Sequence, residues 1–217
     1  MNITPLAAAT ADAWGALFER CGCACYCRYW HFEGSKNEWL ARCVNEPERS
    51  REEHLAAVAL GAPEARGLVA MDGDDAVGWM KVVPRPTVSK LLRQGPYRAV
   101  AAHPNGDDRV WSIGCFLVDP RRRRSGVARA LVLAAPAYVR THGGTTVEAY
   151  PRRVDGDVHD AQAWTGTVRL FASCGFEEAG GDGPYPIMRR SAETRSGDWG
   201  AQPTTKPADS TRPPRTS

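Results

Sequence analysis

Apolar positions recur in two rhythms along this chain, and the changes of rhythm mark its elements. Trp14, Leu17 and Phe18 form an i, i+3, i+4 stripe within Ala11 to Arg20, the spacing of one face of a short amphipathic helix. Ser35, with Glu38 three residues on, is a capping-box pair. It predicts a second helix with Trp39, Leu40 and Cys43 on its apolar side. Pro47 stops or bends that helix, and Glu48 to Leu60 reads as a third, ended near Gly61 and Pro63. The rhythm then shortens to that of strands. Gly67 to Met71 and Ala76 to Val83 flank an Asp72-Gly-Asp-Asp75 turn and predict a hairpin.

Residues 84 to 109 hold Pro84, Pro86, Gly95, Pro96, Pro104 and Gly106 and read as a long loop, with Val88 to Arg93 suited to a short helix. Val110 to Val118 is the strongest strand, rich in β-formers and closed by Asp119-Pro120. A helix from Ser125 to His142 follows, ended by Gly143-Gly144 and expected to kink at Pro136. Next come a strand at Val147 to Tyr150, a charged loop at Arg152 to Asp160, and a helix at Thr165 to Cys174 capped by Thr165 or Thr167. A last hairpin turns at Gly180-Gly-Asp-Gly-Pro184. The polar, Pro- and Ser-rich stretch 192–217 has too little apolar surface to offset ordering entropy, which predicts a disordered tail. The expected organisation is therefore a helical, Cys-rich segment at 1–60 belonging to the same domain as a core at 61–191.

Composition narrows the class. With 217 residues, 42% hydrophobic and 24% charged, the chain suits one ordinary domain with an appendage. A net charge of +3 gives no general nucleic-acid role, since Arg121 to Arg124 is a local concentration. No stretch is apolar enough to span a bilayer, so no membrane role is expected. The N-terminal run lacks a basic start and is interrupted by Asp12, which argues against a signal peptide and for a cytoplasmic protein. Apolar strand faces can serve a core or an interface, which leaves a homodimer open. Seven cysteines are present, four of them alternating over Cys21 to Cys27, and reduced thiols are the default. If extended, that run puts alternate thiols on one side, which favours packing over tetrahedral chelation. No metal site is assigned, although His31 and His54 stand nearby.

The candidate chemistry lies after the strongest strand. A strand, a cationic turn and a small-residue helix start at Ser125-Gly-Val-Ala128 are what a phosphate cradle requires. The first helical turn offers unpaired N–H groups and the positive end of the dipole, and Gly126 and Ala128 let an anion approach the main chain. The bland alternative is a solvated basic turn.

Arg123-x-x-Gly126-x-Ala128 resembles the Arg/Gln-x-x-Gly-x-Gly/Ala signature of the GNAT superfamily of N-acetyltransferases, and Phe-Leu-Val-Asp-Pro before it resembles that family's cofactor strand. The order of helix, Gly175-Phe176 and final strand resembles the family's close. Cys25-Tyr-Cys-Arg-Tyr-Trp30 resembles an N-terminal Cys-x-Cys-x-Tyr-Trp element carried by a subset of bacterial GNAT-like proteins.

The resemblance implies an α/β (α+β) fold with a mixed, mostly antiparallel central sheet, a splayed strand pair and flanking helices. It implies acetyl-CoA as co-substrate and a small-molecule amine as acceptor. Arg123, Arg124, Ser125, Gly126, Val127 and Ala128 would hold the pyrophosphate, while Phe116, Leu117 and Val118 would run beside the pantetheine arm. The thioester would then lie near Ser112 to Cys115 and the start of the 147–150 strand. Glu148 would be the general base, with an outward-facing strand carboxylate as its bland reading. Phe171 stands where the family usually has a tyrosine acid, a departure that leaves Tyr150, Cys115 or water to protonate the leaving thiolate. The alternatives are a non-catalytic CoA-ligand sensor or interaction module on the same fold, and a metal- or redox-responsive protein built on Cys21 to Cys27.

Overall fold

A computed structural model of the chain describes residues 1–93, 109–153 and 163–193. Among these residues seven strands form one sheet: β1 (Asn2–Pro5), β2 (Gly67–Asp72), β3 (Asp75–Pro84), β4 (Val110–Val118), β5 (Thr146–Ala149), β6 (Glu177–Asp182) and β7 (Tyr185–Ser191). Their spatial order is β1-β2-β3-β4-β5-β7-β6. Every adjacent pair is antiparallel except β4 and β5, which run parallel. The expected α/β fold with a mixed, mostly antiparallel sheet is what the chain adopts.

Both faces of the sheet are covered, so β2 and β3 read as nearly continuous apolar runs. On one face Leu68, Ala70, Met80, Val82, Ile113, Val147 and Ala149 pack against Val127, Leu131, Val132, Ala135 and Val139 of α5 (Val127–Thr141). On the other face Val69, Ala76 and Trp79 meet Trp14, Leu17 and Phe18 of α1 (Ala11–Arg20), the stripe expected from their spacing. Two more helices, α2 (Lys36–Asn45) and α3 (Pro47–Ala59), follow α1. Ser35 caps α2 in the predicted box: its hydroxyl accepts from the Glu38 amide while Glu38 accepts from the Ser35 amide. α2 stops at Asn45, just ahead of Pro47 as expected, and Pro47 then begins α3 at its first position, where its missing N–H costs nothing.

The remaining helices are short: α4 (Ser89–Leu92) and α6 (Val168–Ser173), the latter capped by Thr167, whose hydroxyl accepts from the Leu170 amide. α5 starts at Val127 rather than Ser125 and runs through Pro136 without a break. The start of the 84–109 segment is ordered as a short 3-10 turn, Arg85–Val88, and then α4, while residues 94–108 lie outside the described residues. So does most of the charged loop after Arg153.

The structure departs from the sequence reading at several points. β1 carries no pattern that announces it; it is a short edge strand ending in Pro5. Leu40 is 51% exposed instead of buried beside Trp39. The cysteine run is not extended: Tyr26 and Cys27 have φ of 38° and 58°, which curls the chain into turns. Tyr150 follows β5 rather than ending it. Ala192, assigned to the tail, is buried, and its amide donates to the Thr145 carbonyl. The tail beyond Glu193 lies outside the described residues. No helix among them is long and apolar enough to cross a membrane.

Candidate active site

The basic loop after β4 is a folded object. Asp119 caps the short 3-10 turn Pro120–Arg122. Its Oδ1 accepts from the Arg121 amide at 2.9 Å and from Arg121 Nε at 3.1 Å, and its Oδ2 from Arg121 Nη2 at 2.9 Å and Arg20 Nε at 3.3 Å. Those Arg121 hydrogen bonds, with Arg20 behind them, hold the Asp119 carboxyl well below the usual carboxylate range. Arg122 is tied to Asp72, and Ser125 Oγ donates to the Arg122 carbonyl at 2.6 Å. Arg124 and Gly126 both adopt left-handed backbone, φ 59° and 85°, which turns successive amides toward one side as in an anion nest. Gly126 is the N-cap of α5, no side chain caps that end, and no acidic residue lies in its first turn. A Cβ added at Gly126 would meet nothing within 4 Å, so the main chain is open to a ligand there. From below, Gly78 of β3 admits Val127, which a Cβ at that position would strike. The sequence-expected cradle residues Arg123, Arg124, Ser125, Gly126, Val127 and Ala128 therefore occupy one loop and helix start that can bind a pyrophosphate.

β4 carries the chain from this loop to the reacting region. It pairs with β5 only from Val110 to Ile113, opposite Thr146 to Ala149. Beyond Ile113 the two strands part. At that point Gly114 and Cys115 of β4 stand opposite the single residue Lys81 of β3, a bulge that re-aims the strand. The Asp119 amide bonds to the Val77 carbonyl of β3, and the Phe116 amide bonds to the Trp164 carbonyl at 2.7 Å. Strand alternation thus turns the main chain of Phe116 and Val118 toward the gap and that of Leu117 toward β3.

A row of polar side chains crosses the sheet at the start of the gap. Ser112, Glu148 and Arg189 sit side by side on β4, β5 and β7. Glu148 is fully buried and so does not face solvent. Its Oε1 accepts from Arg189 Nε at 3.0 Å and Nη2 at 2.6 Å, its Oε2 accepts from the Tyr150 hydroxyl at 2.9 Å, and Arg85 Nη1 lies 3.6 Å away. Tyr150 Oη is also 2.9 Å from Ser112 Oγ. Since the single phenol proton goes to Glu148, the Ser112 hydroxyl donates to Tyr150. Burial first, and the Glu148 carboxylate next, push the Tyr150 phenol well above its ordinary range, so it stays protonated. The result is a directed chain, Ser112 to Tyr150 to Glu148, along which protons run toward the carboxylate.

Glu148 and Tyr150 are brought together as the sequence suggested; the cradle lies at the other end of β4. Arg85 and Arg189 went unread because an arginine in a Pro-rich loop or a terminal strand gives no pattern. Phe171 lies in the core, its ring 6.0 Å from Phe116 and 5.3 Å from Phe176, so no hydroxyl enters from α6. Trp164 is 40% exposed, and it leans on Trp30 at 5.5 Å and edge-on to Tyr29 at 6.4 Å. Trp79 and Trp111 are buried. All seven cysteines are free thiols, and among the described residues no group of three or more His, Cys, Asp or Glu is placed to hold a metal ion.

Residues 28–176 match the acetyltransferase (GNAT) family. No curated protein sequence matches the chain. Among solved structures it is similar to the aminoglycoside 6'-N-acetyltransferase from Enterococcus faecium, at 16% identity and TM-score 0.51, covering 90% of this chain and 99% of that one. It is similar to the paiA N-acetyltransferase from Thermoplasma acidophilum in complex with coenzyme A, at 12% identity and TM-score 0.51, covering 88% and 99%. It is also similar to yncA from Salmonella typhimurium with its cofactor acetyl-CoA, at 14% identity and TM-score 0.50, covering 90% and 97%. These likenesses show a shared fold.

Proposed function

The chain belongs to the acetyltransferase (GNAT) family, and on that premise we propose that it is an acyl-CoA-dependent N-acyltransferase. In this reading it moves acetyl from acetyl-CoA to the amine of a small molecule by direct attack in a ternary complex. The observation that carries it is the loop from Asp119 to Ala128, where two left-handed residues and an uncapped α5 present main-chain amides beside arginines. The amides of Arg124 to Ala128, with Arg123, would hold the pyrophosphate, and Phe116 and Val118 would face the pantetheine arm while Leu117 packs below. Acetyl-CoA supplies an acyl group activated as a thioester. The Cys25-to-Trp30 element, by its resemblance, supports membership of the Cys-x-Cys-x-Tyr-Trp subset in this same reading.

The acceptor amine must lose a proton to attack. Glu148 is the base in this proposal, working through Tyr150 and Ser112, whose hydroxyls point their protons toward it. Tyr150 is the proton-carrying hydroxyl in place of the family tyrosine, whose position Phe171 fills. That same substitution favours a second reading, a CoA-ligand sensor without turnover. Thiol release from acetyl-CoA across a panel of amines separates the two. Amine-dependent release that is lost in Gly126→Glu and Glu148→Gln supports the transferase. Binding of acetyl-CoA with no release for any amine supports the sensor.

A further inference from the structure

Two thiols from distant parts of the chain meet beneath the β4 bulge. Cys27 is buried at the end of the curled cysteine turn, and Cys115 is the partly exposed residue that the bulge turns toward it. The Cys115 thiol hydrogen-bonds the Cys27 sulfur. Trp79 Nε1 donates to the same sulfur at 3.1 Å. Lys81, the residue opposite the bulge, is fully buried and holds its ammonium on the Glu64 carbonyl at 2.5 Å. Cys27 also sits at φ 58°, a left-handed backbone that a cysteine seldom takes. Burial pushes the Cys27 thiol up, but the Cys115 hydrogen bond, Lys81, Trp79 and Arg28 outweigh it and hold it at about 7. The Cys27 hydrogen bond, and burial after it, drive the Cys115 thiol well above its ordinary range. The surroundings thus favour the thiolate at Cys27 and the protonated thiol at its neighbour. Nothing in acetyl transfer uses this arrangement.

We propose that Cys27 and Cys115 are a peroxide-oxidisable pair, in which Cys27 is the attacking sulfur and Cys115 the resolving one. The Cys27 thiolate attacks one oxygen of hydrogen peroxide; an S–O bond forms, the O–O bond breaks, and the departing hydroxide takes a proton to leave as water. Cys27 is then a sulfenic acid, oxidised by two electrons while the peroxide is reduced by two. The Cys115 sulfur attacks the Cys27 sulfur, the S–S bond forms, and the S–O bond breaks. Its thiol proton leaves with the hydroxyl as a second water. A small peroxide suits the site because Cys27 has almost no exposed surface and Cys115 is only partly exposed, which excludes a bulky disulfide. The bridge would clamp the turn before Tyr29 and Trp30 to β4, one residue from Phe116. Cys23 and Cys25 form a second sulfur contact at 3.4 Å, but neither accepts from an indole as Cys27 does.

The test is peptide mapping of the full-length protein after hydrogen peroxide at neutral pH, with free thiols blocked by an alkylating agent. A Cys27–Cys115 cross-linked peptide that disappears with dithiothreitol is the expected result. Cys115→Ser should leave Cys27 as a sulfenic acid that dimedone traps. Lys81→Met should slow the loss of the Cys27 thiol about tenfold, the worth of one nearby charge. A bridge confined to Cys23–Cys25, or full alkylation of Cys27 after peroxide, overturns the proposal. If Lys81→Met does not fold, the Cys115→Ser trapping result decides alone.

Discussion

The Phe116 amide points into the gap between β4 and β5 and gives its hydrogen bond to the Trp164 carbonyl at 2.7 Å. That amide is one of the strand groups that the proposed function assigns to the pantetheine arm, so the Trp164 segment and the arm compete for it. The exposed Trp164 side chain leans on the rings of Trp30 and Tyr29.

Trp164→Ala removes those ring contacts, worth about 0.5–1.5 kcal/mol each. Acetyl-CoA association should become roughly three- to tenfold faster, with little change in global stability. Stopped-flow association rates measure this. An unchanged or slower rate means that the segment does not stand in the path of the arm.

Asp119 organises the cradle by holding Arg121 and Arg20 at once. In Asp119→Asn the side chain keeps its shape but loses its charge, and the loop loses the partner that fixes its arginines. Acetyl-CoA affinity should fall several-fold, while the affinity for a CoA fragment lacking the phosphates should stay the same. Equal losses for both ligands would place the effect outside the cradle.

Glu148→Gln and Tyr150→Phe cut the directed proton chain at its end and its middle. Each should lower kcat by about 10²-fold or more, the usual worth of a general base, with KM for acetyl-CoA little changed. Glu148→Gln also leaves Arg85 and Arg189 facing a neutral amide, and breaking a buried pair costs about 3–5 kcal/mol of stability. Tyr150→Phe keeps the volume and spares those ion pairs, so it is the cleaner variant. A Tyr150→Phe enzyme with full kcat and an unaltered pH profile would remove the hydroxyl from the mechanism.

Acid should destabilise the fold through the fully buried His54 and the partly buried His31. Burial first, then Lys81 and Arg28, hold His31 at about 3; burial, with the same cations behind it, holds His54 well below its ordinary value. Unfolded histidines take up protons near pH 6.5, before the folded ones do. Stability is therefore full above about pH 6.5 and drains as the pH falls toward the folded values, by roughly 1.4 kcal/mol per pH unit for each histidine. His54→Phe, which keeps a ring stacked on Trp14, should remove about half of that slope in urea melts between pH 6.5 and 5. A slope that His54→Phe leaves unchanged contradicts the assignment.

The elements that the sequence made legible are those whose signal is local. The Trp14-Leu17-Phe18 stripe, the Ser35–Glu38 box and the Asp72–Asp75 turn each carry their own periodicity or hydrogen-bond chemistry, and each folds as that chemistry dictates. The loop proposed as the cradle has the same local signature, since strand, basic turn and Gly126 are contiguous. What the sequence hid depends on partners far along the chain. Arg85 and Arg189 become site residues only because the register sets Arg189 opposite Glu148 and the 3-10 turn after β3 brings Arg85 within 3.6 Å of it. The left-handed Tyr26 and Cys27 defied an extended reading because neither residue is a glycine. Lys81 had one visible sign, a lone charge inside an apolar strand, but its meaning depends on a bulge in the next strand.

The most direct test of the cofactor cradle is calorimetric titration with acetyl-CoA, run beside desulfo-CoA and on Gly126→Glu. Binding on the order of micromolar for the native chain, kept with desulfo-CoA and abolished by a carboxylate at Gly126, is the predicted result. Native binding that Gly126→Glu leaves intact, or no binding of either ligand, would show that the loop from Asp119 to Ala128 is not a phosphate site.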